Sequence, residues 1–169
     1  MSQYYELRSQ CSIYNDIVEY TKTADPSKWF TAYSFDILNI PDEILLKDPV
    51  MRAIRTKFPV ESYYTRPVCL KMRPNLFYKL HEDTVRQAAI NMLIDGWNSH
   101  TFYGTPVEGS EDLYDINRLV YKPEHYYLLD TKQLHAVLNF ESPRIVFSLG
   151  FNLPATYTNV RDFLIDADL

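Results

Sequence analysis

Three residues in the chain have the types and spacing of a metal site. His81 and Asp83 are separated by one residue, and His135 follows them much later in the sequence. Side chains two residues apart in a strand point to the same side, so His81 and Asp83 could bind one ion together. With His135 they would form a set of two histidines and one carboxylate. This set leaves coordination positions open and is typical of non-heme Fe(II) sites.

A single arginine begins an otherwise apolar run shortly after His135. Arg144 precedes residues 145–151, which alternate like a strand and place Ser148 on the same face as Arg144. A buried guanidinium is costly unless an anion meets it. The run therefore favours an anion site at Arg144, although a surface salt bridge with one of the 22 acidic residues would also account for the charge.

The composition is that of a globular protein and excludes several classes. The 169 residues are 46% hydrophobic and 23% charged, and the net charge of −5 disfavours a nucleic-acid partner. Cys11 and Cys69 form no zinc or redox pattern, and the four glycines form no phosphate-binding loop. The chain has neither an apolar run long enough for a membrane helix nor a signal-peptide pattern at its start. We expect a cytoplasmic protein with no membrane association.

Short runs with a period of two dominate the chain from residue 60 onward. Turn residues separate them, and many short strands at this spacing indicate a sandwich, barrel or jelly roll. The longest connection, between Gly104 and Asp115, is a candidate lid over the site. The predicted strands cover 66–72, 76–82, 85–94, 100–103, 118–121, 126–129, 134–140 and 144–151.

The two ends of the chain are predicted to be mixed or helical. A short helix is expected at 16–20 and one strand at 29–40. A helical pattern begins at Pro41, and Pro49 must kink or split it. A loop and a short helix follow residue 152, with Asn159 as a candidate N-cap.

Alternation assigns the side chains of the strand at 76–83 to two faces. His81 and Asp83 are expected on the cavity side together with Lys79, and Leu76, Tyr78 and Leu80 on the opposite side.

At these residues the sequence resembles the 2-oxoglutarate- and Fe(II)-dependent oxygenases. It is most similar to small microbial and phage members, nearest to the aspartyl/asparaginyl and prolyl hydroxylase-like branch. The likeness covers about residues 66–151. It depends on three stretches, which are His81-Glu82-Asp83-Thr84-Val85-Arg86 with Asn91, Thr131 to His135 and on to Asn139, and the closing strand Arg144 to Phe151.

The resemblance implies a fold, a set of ligands and a reaction. The fold would be mainly β with flanking helices, a cupin-like double-stranded β-helix or jelly roll. His81, Asp83 and His135 would bind Fe(II), and Arg144 would bind the far carboxylate of 2-oxoglutarate. With O2, the reaction would hydroxylate an amino-acid, peptidyl or other small substrate. Family halogenases carry Gly or Ala in place of Asp83, so hydroxylation is favoured.

Other positions depart from the family pattern or leave alternatives open. Many members carry a serine two positions after the arginine, where this chain has Val146, so Ser148 or Tyr103 would supply the second hydrogen bond to 2-oxoglutarate. Arg86 and Asn91 are candidate substrate contacts, although Arg86 could instead pair with Glu82.

The whole chain is expected to form one domain. Residues 1–59 would support the jelly-roll core at 60–151, and 152–169 would form a tail or helix. Two other functions stay open at this point: a non-enzymatic binding or structural jelly roll, and a metal cupin that does not use 2-oxoglutarate. The oligomeric state is not indicated by the sequence.

Overall fold

The computed structural model describes residues 3–32, 34–59, 66–110 and 113–169. The predicted core therefore begins in a segment, 60–65, that lies outside the described residues, as do residues 111 and 112 of the predicted lid. The strands are β1 Tyr4–Gln10, β2 Trp29–Ala32, β3 Phe35–Asn39, β4 Val68–Met72, β5 Leu76–His81, β6 Ala88–Asp95, β7 His100–Pro106, β8 Leu113–Leu119, β9 His125–Leu129, β10 His135–Asn139 and β11 Arg144–Phe151. The helices are α1 Tyr14–Thr23, α2 Asp42–Leu45, α3 Pro49–Lys57 and α4 Tyr157–Asp166, with a 3₁₀ turn at Pro26–Lys28.

The strands form two antiparallel sheets. A major sheet has seven strands in the order β1-β9-β6-β11-β4-β3-β2, and a minor sheet has four in the order β5-β10-β7-β8. This architecture confirms the expected fold, mainly β with flanking helices in a double-stranded β-helix. The neighbours of β11 are β6 and β4, and those of β10 are β5 and β7. The strands that carry Arg144 and His135 are thus interior to their sheets.

One face of the major sheet packs against the helices. Its apolar face on β11 consists of Phe147, Leu149 and Phe151, which join one buried cluster with Ile17 of α1 and Ile54 of α3. Burial of such side chains contributes about 25 cal/mol per Å² of apolar surface removed from water. The alternation predicted for 144–151 is confirmed, and it leaves Arg144 and Ser148 on the other face, toward the minor sheet.

The N-terminal region contributes more sheet than its sequence indicated. The strand β1 was not predicted, and it pairs with β9 from Tyr4 opposite Leu129. The expectation of one strand at 29–40 is wrong, because β2 and β3 form a hairpin in which Trp29 lies opposite Leu38. β1 is tyrosine-rich and pairs with a strand far along the chain, whereas the loose alternation of 29–40 gave no sign of the turn between β2 and β3.

The long loop predicted before residue 115 is shorter in the structure. β7 continues through Gly104 to Pro106, and β8 already begins at Leu113. The expected strand at 118–121 is therefore wrong in its bounds. β8 is an edge strand whose middle residues are exposed on both faces, so it lacks the apolar alternation on which the prediction relied.

The helix predictions fare better, with one correction. Pro49 splits the helical pattern as predicted, and Asp48 caps α3 by accepting a hydrogen bond from the Met51 backbone N–H at 3.0 Å. The C-terminal helix is present, but its N-cap is Thr156 rather than Asn159. Asn159 is the third helical residue and bonds back to Thr156, which completes a capping box.

Among the helices of the described ranges, none combines the length and the apolar character that a bilayer crossing requires.

Candidate metal centre and carboxylate pocket

The three predicted metal ligands meet at one end of the minor sheet. His81 is the last residue of β5, His135 is the first of β10, and the two lie opposite each other in the ladder. Asp83 lies in the loop that follows β5. One ligand atom from each residue lies within 4.8 Å of the others. Residues far apart in the sequence therefore present two imidazoles and a carboxylate to a common point.

Both imidazole rings are held so that the same nitrogen is available. The Nδ1 atom of His81 lies 2.8 Å from the Lys79 carbonyl oxygen, and that of His135 lies 2.9 Å from the Gln133 carbonyl oxygen. Because a carbonyl oxygen only accepts, each Nδ1 must carry the proton in these hydrogen bonds. The Nε2 atom of each ring is then the unprotonated nitrogen that binds a metal.

The environment of His135 favours its neutral form. The side chain is buried, and this burial lowers the pKa of the imidazole below its ordinary value, since desolvation penalises the charged form. A neutral ring is the state that ligates metal ions.

The carboxylate of Asp83 is oriented by an arginine. Nε and Nη2 of Arg86 each lie 2.7 Å from Oδ2 of Asp83, while Oδ1 lies 3.5 Å from Nε2 of His81. The Arg86 guanidinium therefore balances the charge at Oδ2, and Oδ1 faces the His81 ring. The structure pairs Arg86 with Asp83 and not with Glu82, which was the alternative that the sequence left open.

A β-bulge next to His81 changes which side chains share its face. Opposite β10, the pairing moves from His81 with His135 to Tyr78 with Val137, so three steps along β5 match two along β10. The expectation that Tyr78 points away from the cavity is therefore wrong. Its ring contacts the His81 ring edge to face, with centroids 4.6 Å apart. Simple alternation fails here because the extra residue shifts the register.

Arg144 crosses from the major sheet to the minor sheet. Its side chain is only 4% exposed, and Nη2 donates to the Thr101 hydroxyl of β7 at 3.3 Å. The guanidinium carbon lies 5.9 Å from the centre of the Tyr121 ring. Within the described residues, no carboxylate lies within ion-pair distance, and the surface salt bridge considered from the sequence is not formed. Burial lowers the pKa of the Arg144 guanidinium from its ordinary value.

Among the described residues, several buried polar atoms have no hydrogen-bond partner. They include Nε of Arg144, the hydroxyls of Ser148 and Tyr103, and Oδ1 of Asn91. Ser148 lies directly opposite Asn91 in the major sheet, on the face that carries Arg144. Orphaned buried polar groups cost about 1–3 kcal/mol each and are rare in folded proteins. Two of these groups, on Ser148 and Asn91, lie on the face of the major sheet that is turned toward the minor sheet.

The metal ligands and Arg144 are related through strand β7. Tyr103 lies opposite His135, and their rings are 5.8 Å apart. Thr101, which accepts the hydrogen bond from Arg144, is two residues from Tyr103 on the same strand, a spacing of about 7 Å along β7.

No protein-family model and no curated protein matches the chain. Solved structures do share its fold. A 2OG-Fe(II) oxygenase from Burkholderia pseudomallei has a TM-score of 0.61 at 12% identity over 89% of this chain and 84% of that one. A prolyl-4-hydroxylase from Pseudomonas putida has a TM-score of 0.62 at 14% identity, over 90% and 94%. A prolyl hydroxylase from Trichoplax adhaerens, in complex with a hypoxia inducible factor peptide, has a TM-score of 0.64 at 12% identity, over 89% and 83%.

The chain has the fold of the 2-oxoglutarate and Fe(II) oxygenases. The resemblance drawn from the sequence is thus confirmed for the architecture. Because the identity is only 12–14%, these structures show the fold, and the role of each residue is inferred from the geometry of this chain.

Sequence reasoning missed several residues around the predicted site. Tyr121, from the connection between β8 and β9, packs on Arg144, and Thr101 is its hydrogen-bond partner. Lys132 binds the loop that carries Asp83. The sequence offered one usable signal: Thr131 and Lys132 lie within the stretch on which the resemblance depends. Tyr121 is one of 14 tyrosines and had no such mark.

A polar cavity of about 510 Å³ opens at the edge of the oxygenase fold between β1 and β8. Its lining includes Tyr4, Asn117 and Gln133, and the Asn117 amide donates to the Gln3 side chain across the two sheet edges at 3.2 Å. Gln133 lines this cavity, and its carbonyl oxygen also accepts the hydrogen bond from Nδ1 of His135.

Proposed function

We propose that the protein is an Fe(II)- and 2-oxoglutarate-dependent dioxygenase that hydroxylates an amino-acid, peptidyl or other small substrate with release of succinate and CO2. One observation carries the proposal. His81, Asp83 and His135 converge on one point, and the buried Arg144 guanidinium, which has no carboxylate partner among the described residues, bonds to Thr101, two residues along β7 from the partner of His135.

The donor set fits Fe(II). Two Nε2 atoms and one carboxylate oxygen would occupy one side of the ion, which leaves the opposite positions for cosubstrate and O2. Bound Fe(II) and 2-oxoglutarate would together supply the oxidising power for insertion of one oxygen atom of O2 into a C–H bond. The protein's contribution is to hold the rings through Lys79 and Gln133 and the carboxylate through Arg86.

The carboxylate pocket fits the far end of 2-oxoglutarate. The Arg144 guanidinium would accept the carboxylate through charge-assisted hydrogen bonds. The hydroxyls of Ser148 and Tyr103, which are buried and have no hydrogen-bond partner within the described ranges, would donate to the same group. Burial raises the pKa of Tyr103 well above its ordinary value, so this hydroxyl keeps the proton it would donate.

Two details refine the reaction. Asp83 supplies the third protein ligand, which favours hydroxylation over halogenation, in keeping with the resemblance. Asn91 lies opposite Ser148 between the sheets, and we therefore assign it to the cosubstrate pocket rather than to the substrate. The Arg86 guanidinium is committed to Asp83, so we assign it to positioning of the carboxylate.

We place substrate entry at the polar cavity between β1 and β8. Side-chain amides of Gln3, Asn117 and Gln133 line it and can both donate and accept, which suits a peptide or amino-acid substrate. A hypoxia inducible factor peptide and hygromycin B are bound by two proteins of the same fold. The net charge of −5 disfavours a nucleic-acid substrate. The cytoplasmic location stays a prediction.

The test is anaerobic visible absorption of the protein with Fe(II), before and after 2-oxoglutarate is added. We expect a charge-transfer band in wild type and none in His81→Ala. His125→Ala is a matched control, because His125 makes the same type of Nδ1 hydrogen bond, 2.7 Å to the Pro123 carbonyl oxygen, away from the three ligands. This variant should keep the band.

The absence of a band in folded wild type would refute the oxygenase proposal and favour a binding or structural jelly roll. Fe(II) binding without any response to 2-oxoglutarate would favour a metal cupin instead. Release of succinate from candidate amino acids and peptides would then identify the substrate class.

A further inference from the structure

We infer that Lys132, together with Thr131, is a positioning element that clamps the Asp83 loop to the start of β10. The two chain segments that carry the metal ligands then behave as one unit before metal binds. The inference depends on the proposed function for the identity of the metal, and it adds a role for two residues that are not themselves proposed to bind the metal.

The ammonium group of Lys132 bridges two backbone carbonyls in the loop. Its Nζ donates to the Asp83 carbonyl oxygen at 2.6 Å and to the Thr84 carbonyl oxygen at 3.0 Å. Hydrogen bonds from a charged donor are roughly twice as strong as neutral ones. Lys132 therefore binds the backbone of the carboxylate ligand directly, from a position three residues before the histidine ligand of β10.

Thr131 adds two further bonds between the same segments. Its carbonyl oxygen accepts from the Asp83 N–H at 2.9 Å, and its hydroxyl donates to the Arg86 carbonyl oxygen at 3.0 Å. The Thr131 side chain is buried. Both backbone polar groups of Asp83 are thus satisfied by residues 131 and 132.

The clamp matters because Asp83 lies outside the sheet. β5 ends at His81 and β6 begins at Ala88, so no strand ladder positions the residues between them. Arg86 orients the Asp83 side chain but belongs to the same loop and moves with it. The contacts from residues 131 and 132, in the connection that leads into β10, tie the backbone of Asp83 to the segment that carries His135. Lysine suits this task because its long side chain carries three donors.

The experiment measures metal affinity rather than turnover. Fe(II), and Co(II) as a spectroscopic probe, are titrated anaerobically into wild type, Lys132→Met, Lys132→Arg and Thr131→Val. Removal of groups that orient metal ligands costs about 10–100-fold in affinity. We expect such a loss in Lys132→Met, a smaller loss in Thr131→Val and substantial recovery in Lys132→Arg, which keeps a charged donor.

A matched control separates the clamp from a general loss of charge. Lys122 forms a salt bridge with Glu6 at 2.7 Å, and Lys122→Met should bind Fe(II) and Co(II) as wild type does. The visible spectrum of bound Co(II) reports ligand geometry, and it should change in Lys132→Met but not in the control. If Lys132→Met does not fold, Thr131→Val carries the same test.

Failure of the clamp and failure of the proposed function would give different results. If wild type binds the metals and both clamp variants bind them equally well with unchanged spectra, the clamp is refuted and the proposed function stands. If wild type binds neither metal, the proposed function fails and the inference fails with it.

Discussion

Substitution of Arg144 by methionine should change stability and ligand binding in opposite directions. Arg144 is 4% exposed and donates to the Thr101 hydroxyl at 3.3 Å, while its Nε has no partner among the described residues. Methionine has a similar length and no charge. Without ligand, replacement of a poorly compensated buried ion by an apolar side chain stabilises proteins by about 1–4 kcal/mol. For a chain of this size, each kcal/mol corresponds to about 2–4 °C in Tm.

The effect on cosubstrate should be a large loss. Removal of one partner of a buried charge pair costs about 2–5 kcal/mol, or roughly thirty-fold to several thousand-fold in Kd for 2-oxoglutarate. At a concentration about 100 times the wild-type Kd, bound ligand stabilises wild type by about 2.7 kcal/mol. The same concentration should stabilise Arg144→Met by less than about 1 kcal/mol.

The assay is thermal unfolding of metal-loaded wild type, Arg144→Met and Arg144→Lys, each with and without 2-oxoglutarate. The lysine variant keeps a charge and should show no gain in Tm without ligand. A lower Tm for the ligand-free methionine variant would refute the argument that the guanidinium is poorly compensated. An unchanged shift with 2-oxoglutarate would refute the assignment of Arg144 to its carboxylate.

Three further predictions concern the metal loop, a helix cap and the thiols. Arg86→Gln should weaken Fe(II) binding by about ten-fold or more, because the Asp83 carboxylate loses two contacts of 2.7 Å. Isothermal titration measures this affinity, and an unchanged value would contradict the prediction. Asp48→Ala should cost about 2–4 kcal/mol in urea unfolding, because this fully buried carboxylate caps α3 and also accepts from Ser12, whereas the exposed cap variant Asp25→Ala should cost much less. Burial raises the pKa of both cysteine thiols to about 12, so they stay protonated at pH 8 and should react with iodoacetamide only after unfolding; fast labelling of native protein would show that they are accessible.

Local sequence patterns correctly predicted those parts of the fold whose structure depends on residues adjacent in sequence. The apolar alternation of β11 predicted which side faces the helices, and Pro49 predicted the break between α2 and α3. Elements without their own pattern were missed. β1 is polar and tyrosine-rich and becomes a strand through pairing with β9, and β8 extends along an exposed edge.

The sequence by itself determined the chemistry that is available: two histidines, one aspartate and an arginine, in an order that resembles an oxygenase core. Tertiary structure decided how these groups act. The bulge in β5 turns Tyr78 toward His81, and Arg86 forms its ion pair with Asp83 rather than with Glu82. The isolation of Arg144 from carboxylates also appears only when the two sheets meet. Alternation along a strand depends on adjacent residues, whereas register shifts, ion pairing and burial depend on segments that are distant in sequence.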